Sequence, residues 1–299
     1  SCIDFMPIDS CMKKTVFNIL AAALCLCTTA CGTKTETYDL SEHIGACRGI
    51  GDAAILQEAG ASYIEIAISR FLMPESPDSD FEENLALAKA SPIPVLSGNG
   101  FYPGDIRLTG PEAETERAVA YARKAFERGA QIGMKYFVLG SGKARAIPEG
   151  FDPAEARAQF VDLCRQIAPY AEAAGITIVI EPLRRQETNF INSVHEGYGI
   201  VKEVGHPALC VLADFYHMTQ ESEGPESIIE AGAALRHCHI AEDINREAPG
   251  TSGQDFTPYF KALEEIGYRG NISIECRWND FGSQVAPAIA EIKRQLETI

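Results

Sequence analysis

Gly175-Ile-Thr-Ile-Val-Ile-Glu181-Pro-Leu-Arg-Arg185 is the stretch that decides the fold. Five apolar or β-branched residues, Ile176 to Ile180, run without alternation into a carboxylate, Glu181. A strand that is apolar at every position is covered on both faces, as in parallel sheets. A charged residue at its carboxyl end stands where water and ligands first reach the sheet, the edge on which parallel α/β folds place their chemistry. The pattern recurs downstream. Leu209–Asp214, Leu235–His239 and Asn271–Glu275 each pass from an apolar strand into a residue type that ligates metals.

Working outward, strand and helix signals alternate almost without pause. Strands are expected near Ile44–Cys47, Tyr63–Ile68, Ile93–Ser97, Tyr136–Gly140, Ile176–Glu181, Leu209–Asp214, Arg236–Ile240 and Asn271–Cys276. Helical patterns cover Ala53–Ala59, Phe81–Ala90, Glu112–Gly129, Pro153–Ala173, Val194–Val204, Glu226–Gly232, Phe256–Ile266 and Gln284–Thr298. Gly60, Gly129, Gly175 and Gly267 are read as carboxyl-terminal helix caps. Alternation of this kind over about 260 residues predicts an α/β fold, a single (β/α)8 TIM barrel over residues 43–299. A doubly wound open sheet would need a glycine-rich phosphate turn after the first strand, and Ala46-Cys-Arg-Gly-Ile-Gly51 is a poor one. Gly140-Ser-Gly-Lys-Ala-Arg145 reads as a substrate-facing loop able to hold an anion, with a plain turn as its alternative.

The chain has 299 residues, 46% of them apolar, and a net charge of −16. That balance excludes nucleic acid as a partner, because phosphate-backbone affinity comes from Lys and Arg, and it suits small-molecule chemistry. Residues 1–31 read as a leader. Met12-Lys-Lys14 is a basic start, Val16–Cys27 a short apolar run, and Thr28-Thr-Ala-Cys31 resembles a lipoprotein cleavage site. Met12 is then the expected start, with residues 1–11 upstream of it. Cys31 would carry the lipid, so the expected membrane contact is an anchor rather than a span. The implied location is the bacterial cell envelope, facing the periplasm or on the outer membrane. Residues 32–42, short and rich in Thr, read as a polar tether. Five of the ten cysteines fall in the leader, and the rest (Cys47, Cys164, Cys210, Cys238, Cys276) show no paired spacing, so buried free thiols are expected. A homo-oligomer is compatible with the sequence.

Four expected strand ends carry Glu181, Asp214, His239 and Glu275. Any one has a structural explanation by itself, such as a strand-end carboxylate paired with arginine or a core histidine. At the matching ends of strands five to eight, they form a hard, oxygen-rich set suited to one divalent cation, Mn²⁺ first, with Mg²⁺, Co²⁺ or Zn²⁺ also able to bind. Ile180-Glu-Pro-Leu183, Asp214-Phe-Tyr-His217, His237-Cys-His239 and Ile274-Glu275 resemble the xylose isomerase-like sugar isomerase/epimerase superfamily, and within it the ketose 3-epimerases of the tagatose/psicose type. The resemblance is strong over residues 175–278 and faint over 43–174. It implies that Glu181, Asp214, His239 and Glu275 are metal ligands and that Glu181 and Glu275 double as acid and base. It also implies that Glu187, His217 and Arg246 bind substrate, with Arg246 one residue further past the histidine strand than is usual. Endonuclease IV-type members need histidines after the second and third strands, where this chain has Glu65-Ile-Ala67 and Ser97-Gly-Asn99.

These residue types fit one kind of chemistry. A divalent ion chelating a carbonyl and its neighbouring hydroxyl makes the adjacent C–H acidic enough to lose a proton and form an enediolate. Two flanking carboxylates can remove that proton and return one from the other face. The expected activity is a metal-dependent isomerase or epimerase of a non-phosphorylated keto-sugar, since an exported protein meets free sugars and glycosides. A 3-keto-glycoside lyase or hydratase shares the first step and is the alternative; a catalytically inactive sugar-binding lipoprotein is the second. Phe101, Tyr102, Phe215 and Trp278 lie near strand ends as candidates for stacking on sugar faces or for ordinary packing.

Overall fold

A computed structural model of the protein describes residues 38–299. The expected leader, the expected lipidation site Cys31 and the tether up to residue 37 lie outside the described residues. Eight parallel strands close on themselves in sequence order: β1 Ile44–Cys47, β2 Tyr63–Ala67, β3 Val95–Asn99, β4 Tyr136–Leu139, β5 Thr177–Ile180, β6 Leu209–Asp214, β7 Leu235–Ile240 and β8 Asn271–Ile274. β1 pairs with both β2 and β8, so no edge is left open. The architecture is the single (β/α)8 barrel that the strand-helix alternation predicts. Among the described residues no helix is long and apolar enough to cross a membrane.

Local chemistry explains most element boundaries. β6 is buried at all six positions, as a strand between barrel interior and helix layer must be. The Pro153–Ala173 helix begins with a proline in its first turn, and the Asp152 side chain accepts a hydrogen bond from the Ala154 N–H. Ser193 caps Val194–Val204 in the same way. β3 starts at Val95 rather than Ile93 because Pro94 has no N–H to give the ladder. The third expected helix runs Thr115–Ile132, three residues later than its pattern suggested. Its left-handed cap is Gly133, not Gly129, which is a buried interior residue.

Residues 38–42, assigned to the tether by sequence, belong to the barrel. The Tyr38 ring stacks on His43 at 4.5 Å, its hydroxyl bonds the Gly270 carbonyl, and Leu40–Glu42 form a short 3-10 turn. All five cysteines of the barrel are free; Cys164, Cys210 and Cys238 are buried, whereas Cys47 and Cys276 are only partly covered. The barrel interior is divided. On the β4–β6 side it is apolar, with Val138, Val179, Cys210 and Leu212 packed beside Tyr136. Strand alternation puts Tyr63, Glu65, His237, His239 and Ser273 inside on the other side, and all five are buried.

Candidate metal centre

The four strand-end residues meet at the carboxyl-terminal mouth. Glu181 directly follows β5, and its N–H bonds the Leu139 carbonyl of β4. Asp214 ends β6 and caps the short helix Phe215–Gln220; its Oδ1 accepts from the N–H groups of Tyr216 (2.8 Å) and His217 (3.3 Å). His239 lies in register with Asp214 across the β6–β7 pair. Glu275 follows β8, tied by its N–H to the Ile240 carbonyl of β7. One ligating atom from each of the four lies within 4.8 Å of all the others. His239 Nδ1 is 3.1 Å from Glu181 Oε1 and 3.4 Å from Glu275 Oε2. Three carboxylates and an imidazole at this spacing fit a hard divalent cation. Space for one of them is reserved by a glycine: a Cβ on Gly140 would sit 2.2 Å from Glu181 Oε2.

Burial and neighbouring charge act on each group. Burial and the Glu275 charge push the Glu181 carboxyl above its ordinary range, and the bond to His239 only partly opposes them. Burial would raise Glu275 as well, but the charges of His239 and Arg246 hold it down. Burial alone would lower His239; the charges of Glu65 and Glu275 and the bonds to Glu181 and Glu275 keep it well above the usual imidazole range. The two glutamates thus stand in environments that shift their carboxyls in opposite directions.

The three residues expected to contact substrate surround this cluster. Arg246 reaches it from a tight backbone turn in which Asn245 and Arg246 both have a φ of 57°. Its guanidinium bonds Glu275 and lies 3.2 Å from Asp214 Oδ2 and 4.7 Å from the centre of the Tyr216 ring. The additional residue before it is therefore taken up in the loop. Glu187 pairs with Arg184 at 2.9 Å and approaches Arg246 at 3.9 Å. His217 is buried; its Nδ1 accepts the Arg184 N–H at 3.2 Å, so Nε2 carries the proton. That Nε2 has no hydrogen-bond partner and lies 3.6 Å from Asp214 Oδ2. A cavity of about 520 Å³ lined by Arg184, Glu187, Arg246, Glu275, Cys276 and Arg277 opens over this side of the cluster. A second, of about 320 Å³, opens over β1–β3, with Cys47, Glu65 and Asn99 among its lining residues.

Other expectations are corrected. In the Gly140–Arg145 loop, Arg145 is not offered to an anion: it is fully buried and donates to the carbonyls of Leu139, Phe190 and Ile191. Phe101, Tyr102 and Phe215 are core residues, with Phe101 stacked on Tyr102 at 4.4 Å and Phe215 on Tyr259 at 4.8 Å. Trp278 packs edge-on against Phe281. The sequence reading missed two contributors on the facing strands. Asn99 Nδ2 donates to Glu275 Oε1 at 2.7 Å, and Glu65 Oε1 lies 2.9 Å from His239 Nε2. The available signal was a charged residue inside Tyr63-Ile-Glu-Ile-Ala67, a strand otherwise fit to be buried.

Comparison with known proteins agrees with this architecture. The chain is 30% identical over 233 residues to L-ribulose 3-epimerase of Methylomonas sp., covering 77% of this chain and 78% of that protein. It is 26% identical over 208 residues to 3-dehydro-D-guloside 4-epimerase of Escherichia coli, covering 67% of this chain and 78% of the relative. The crystal structure of D-allulose 3-epimerase from Methylomonas sp. superposes with a TM-score of 0.73 at 27% identity, over 87% of this chain and all of that one. The xylose isomerase-like TIM-barrel family model matches residues 53–299. The chain belongs to the xylose isomerase-like TIM-barrel family.

Proposed function

We propose that this chain, a sugar isomerase or epimerase by its relatives, inverts or moves a hydroxyl beside the carbonyl of a non-phosphorylated keto-sugar, with one divalent cation, Mn²⁺ first, held by Glu181, Asp214, His239 and Glu275. The observation that carries the reading is the convergence of those four ligating atoms within 4.8 Å at the barrel mouth. When bound, the ion supplies Lewis-acid stabilisation of negative charge on the substrate's carbonyl and neighbouring hydroxyl oxygens. Glu181 and Glu275 come from strands three places apart and meet at His239, a placement that lets one take a proton from carbon and the other return one. Each contributes on the order of 10²–10⁴ in rate.

The remaining residues orient the sugar. The His217 Nε2–H is a buried donor without a partner, suited to a substrate oxygen because burying it unpaired costs about 1–3 kcal/mol. Glu187 and Arg246 present an acceptor and a donor fork at the cavity wall. The leader, residues 1–31, supports export to the cell envelope on a lipid anchor at Cys31, where free sugars and glycosides are met.

The test is incubation of Mn²⁺-supplemented protein with a panel of ketoses and 3-keto-glycosides in heavy water. An isomeric product, heavier than the substrate by the single deuterium it carries on carbon, is expected. A released aglycone would replace epimerisation with elimination, and no exchange with any member would favour a binding protein.

A further inference from the structure

We infer that Glu65 is the positioning residue of the metal centre: it bonds His239 Nε2–H and so turns Nδ1, with its lone pair, toward the ion. This rests on the metal reading above and adds a residue from the opposite side of the barrel. Glu65 is completely buried in β2, yet both of its carboxylate oxygens are engaged. Oε1 faces His239 Nε2 at 2.9 Å. Oε2 takes the Ser97 hydroxyl at 2.7 Å, the Ser273 hydroxyl at 2.6 Å and His237 Nε2 at 2.8 Å. The Tyr63 hydroxyl holds Ser273 in turn, at 2.7 Å.

The division between the two oxygens is the substance of the inference. Three bonds to Oε2, from β3, β7 and β8, fix where the carboxylate lies, and the single bond that Oε1 accepts from His239 Nε2 fixes the ring. A carboxylate accepts and cannot donate, so it selects the tautomer protonated on Nε2. That leaves Nδ1 as the ligating nitrogen, the atom already 3.1 Å from Glu181 and 3.4 Å from Glu275. A carboxylate behind a ligating histidine fixes the ring and makes it more basic, and losing such a partner typically weakens metal binding 10–100-fold. Glutamine is the informative replacement because it keeps the size but can accept on only one of its two terminal atoms.

The experiment titrates Mn²⁺ calorimetrically into chelator-treated wild-type, E65Q and S273A proteins and follows thermal unfolding of each without metal. E65Q is expected to bind Mn²⁺ 10–100-fold more weakly. S273A, which removes one hold on Oε2 and leaves Oε1 on His239, is expected to lose thermal stability while keeping wild-type Mn²⁺ affinity. Wild-type affinity in E65Q, or affinity that falls in step with melting temperature in both variants, overturns the inference and leaves Glu65 a structural group. If E65Q does not fold, nitrogen-15 histidine spectra of Zn²⁺-loaded wild-type protein decide the point. Coordination through Nδ1 with a proton on Nε2 is expected, and coordination through Nε2 overturns it. Wild-type protein that takes up neither Mn²⁺ nor Zn²⁺ sinks the metal reading itself, and the inference with it.

Discussion

Asp214 divides its carboxylate between two tasks, and the division can be separated experimentally. Oδ1 caps the helix Phe215–Gln220, while Oδ2 faces Arg246 and the metal cluster. Asparagine keeps a capping oxygen but loses the charge. Asp214→Asn should therefore fold like wild type and lose most bound Mn²⁺, whereas Asp214→Ala should also lose about 1 kcal/mol of stability. Metal analysis together with denaturant unfolding separates the two effects. Gly140 offers a second test at this scale. Its absent side chain leaves room for the Glu181 carboxylate, and that carboxylate is the movable end of a side chain. Gly140→Ala should remain folded and bind Mn²⁺ at least about tenfold more weakly, as expected when a ligand is displaced without loss of the fold. Gly49→Ala, where a Cβ meets nothing within 4 Å, is the matched control and should bind as wild type.

At the level of elements, packing corrects what propensity suggests. Gly129 lies inside the Thr115–Ile132 helix, where alanine would ordinarily add about 0.5–1 kcal/mol of stability. A Cβ there would stand 2.7 Å from Cζ of the buried Phe137 ring and 3.2 Å from Ile176 Cδ1. Gly129→Ala should therefore destabilise by about 1–3 kcal/mol, the range for overpacking a tight interior, as read from its urea midpoint. The same helix shows why its ends were misplaced. Gly129 has the residue type of a cap, but its backbone is helical and the left-handed turn comes at Gly133. The strands were easier to place. β5 and β6 are uninterrupted apolar runs closed by Glu181 and Asp214, and that pattern survives without any tertiary information. β3 starts later than expected because Ile93 looks like strand while its neighbour Pro94 has no N–H to donate to the ladder and only accepts, from the Ile64 N–H.

For the molecule as a whole, burial of thiols and phenols sets a limit on alkaline stability. Burial pushes Cys164 and Cys238 from an ordinary 9 up to about 12, and it raises Tyr63, Tyr102 and Tyr268 well above 10. A raised folded-state value means that these groups stabilise fully below the unfolded value. That stability declines as pH rises toward the folded value, because the unfolded chain gives up its protons first. Unfolding free energy should thus be flat near neutrality and fall above about pH 9, each thiol contributing about 1.4 kcal/mol per pH unit until its own folded value is passed. Denaturant titrations under reducing conditions at pH 8 and pH 10.5 check this; equal midpoints would refute it. The acidic surface, at −16 overall, adds like-charge repulsion in the same direction as pH rises.

Local sequence determined the strand-helix alternation, the four residues that end β5 to β8, and their suitability for a hard cation. Each of those depends on composition within a single element and on the rule that parallel strands direct their carboxyl ends to one edge. Only the closed barrel decided what faces those residues from across the interior. Glu65 and Asn99 stand on β2 and β3, far from the cluster in sequence, and reach His239 and Glu275 because the sheet closes through β1 and β8. Closure likewise turned Arg145 and three of the aromatic candidates into wall and core. The reason is physical: whether a strand residue points inward, and which strand it then meets, depends on the register of the whole ring and not on its own neighbours along the chain.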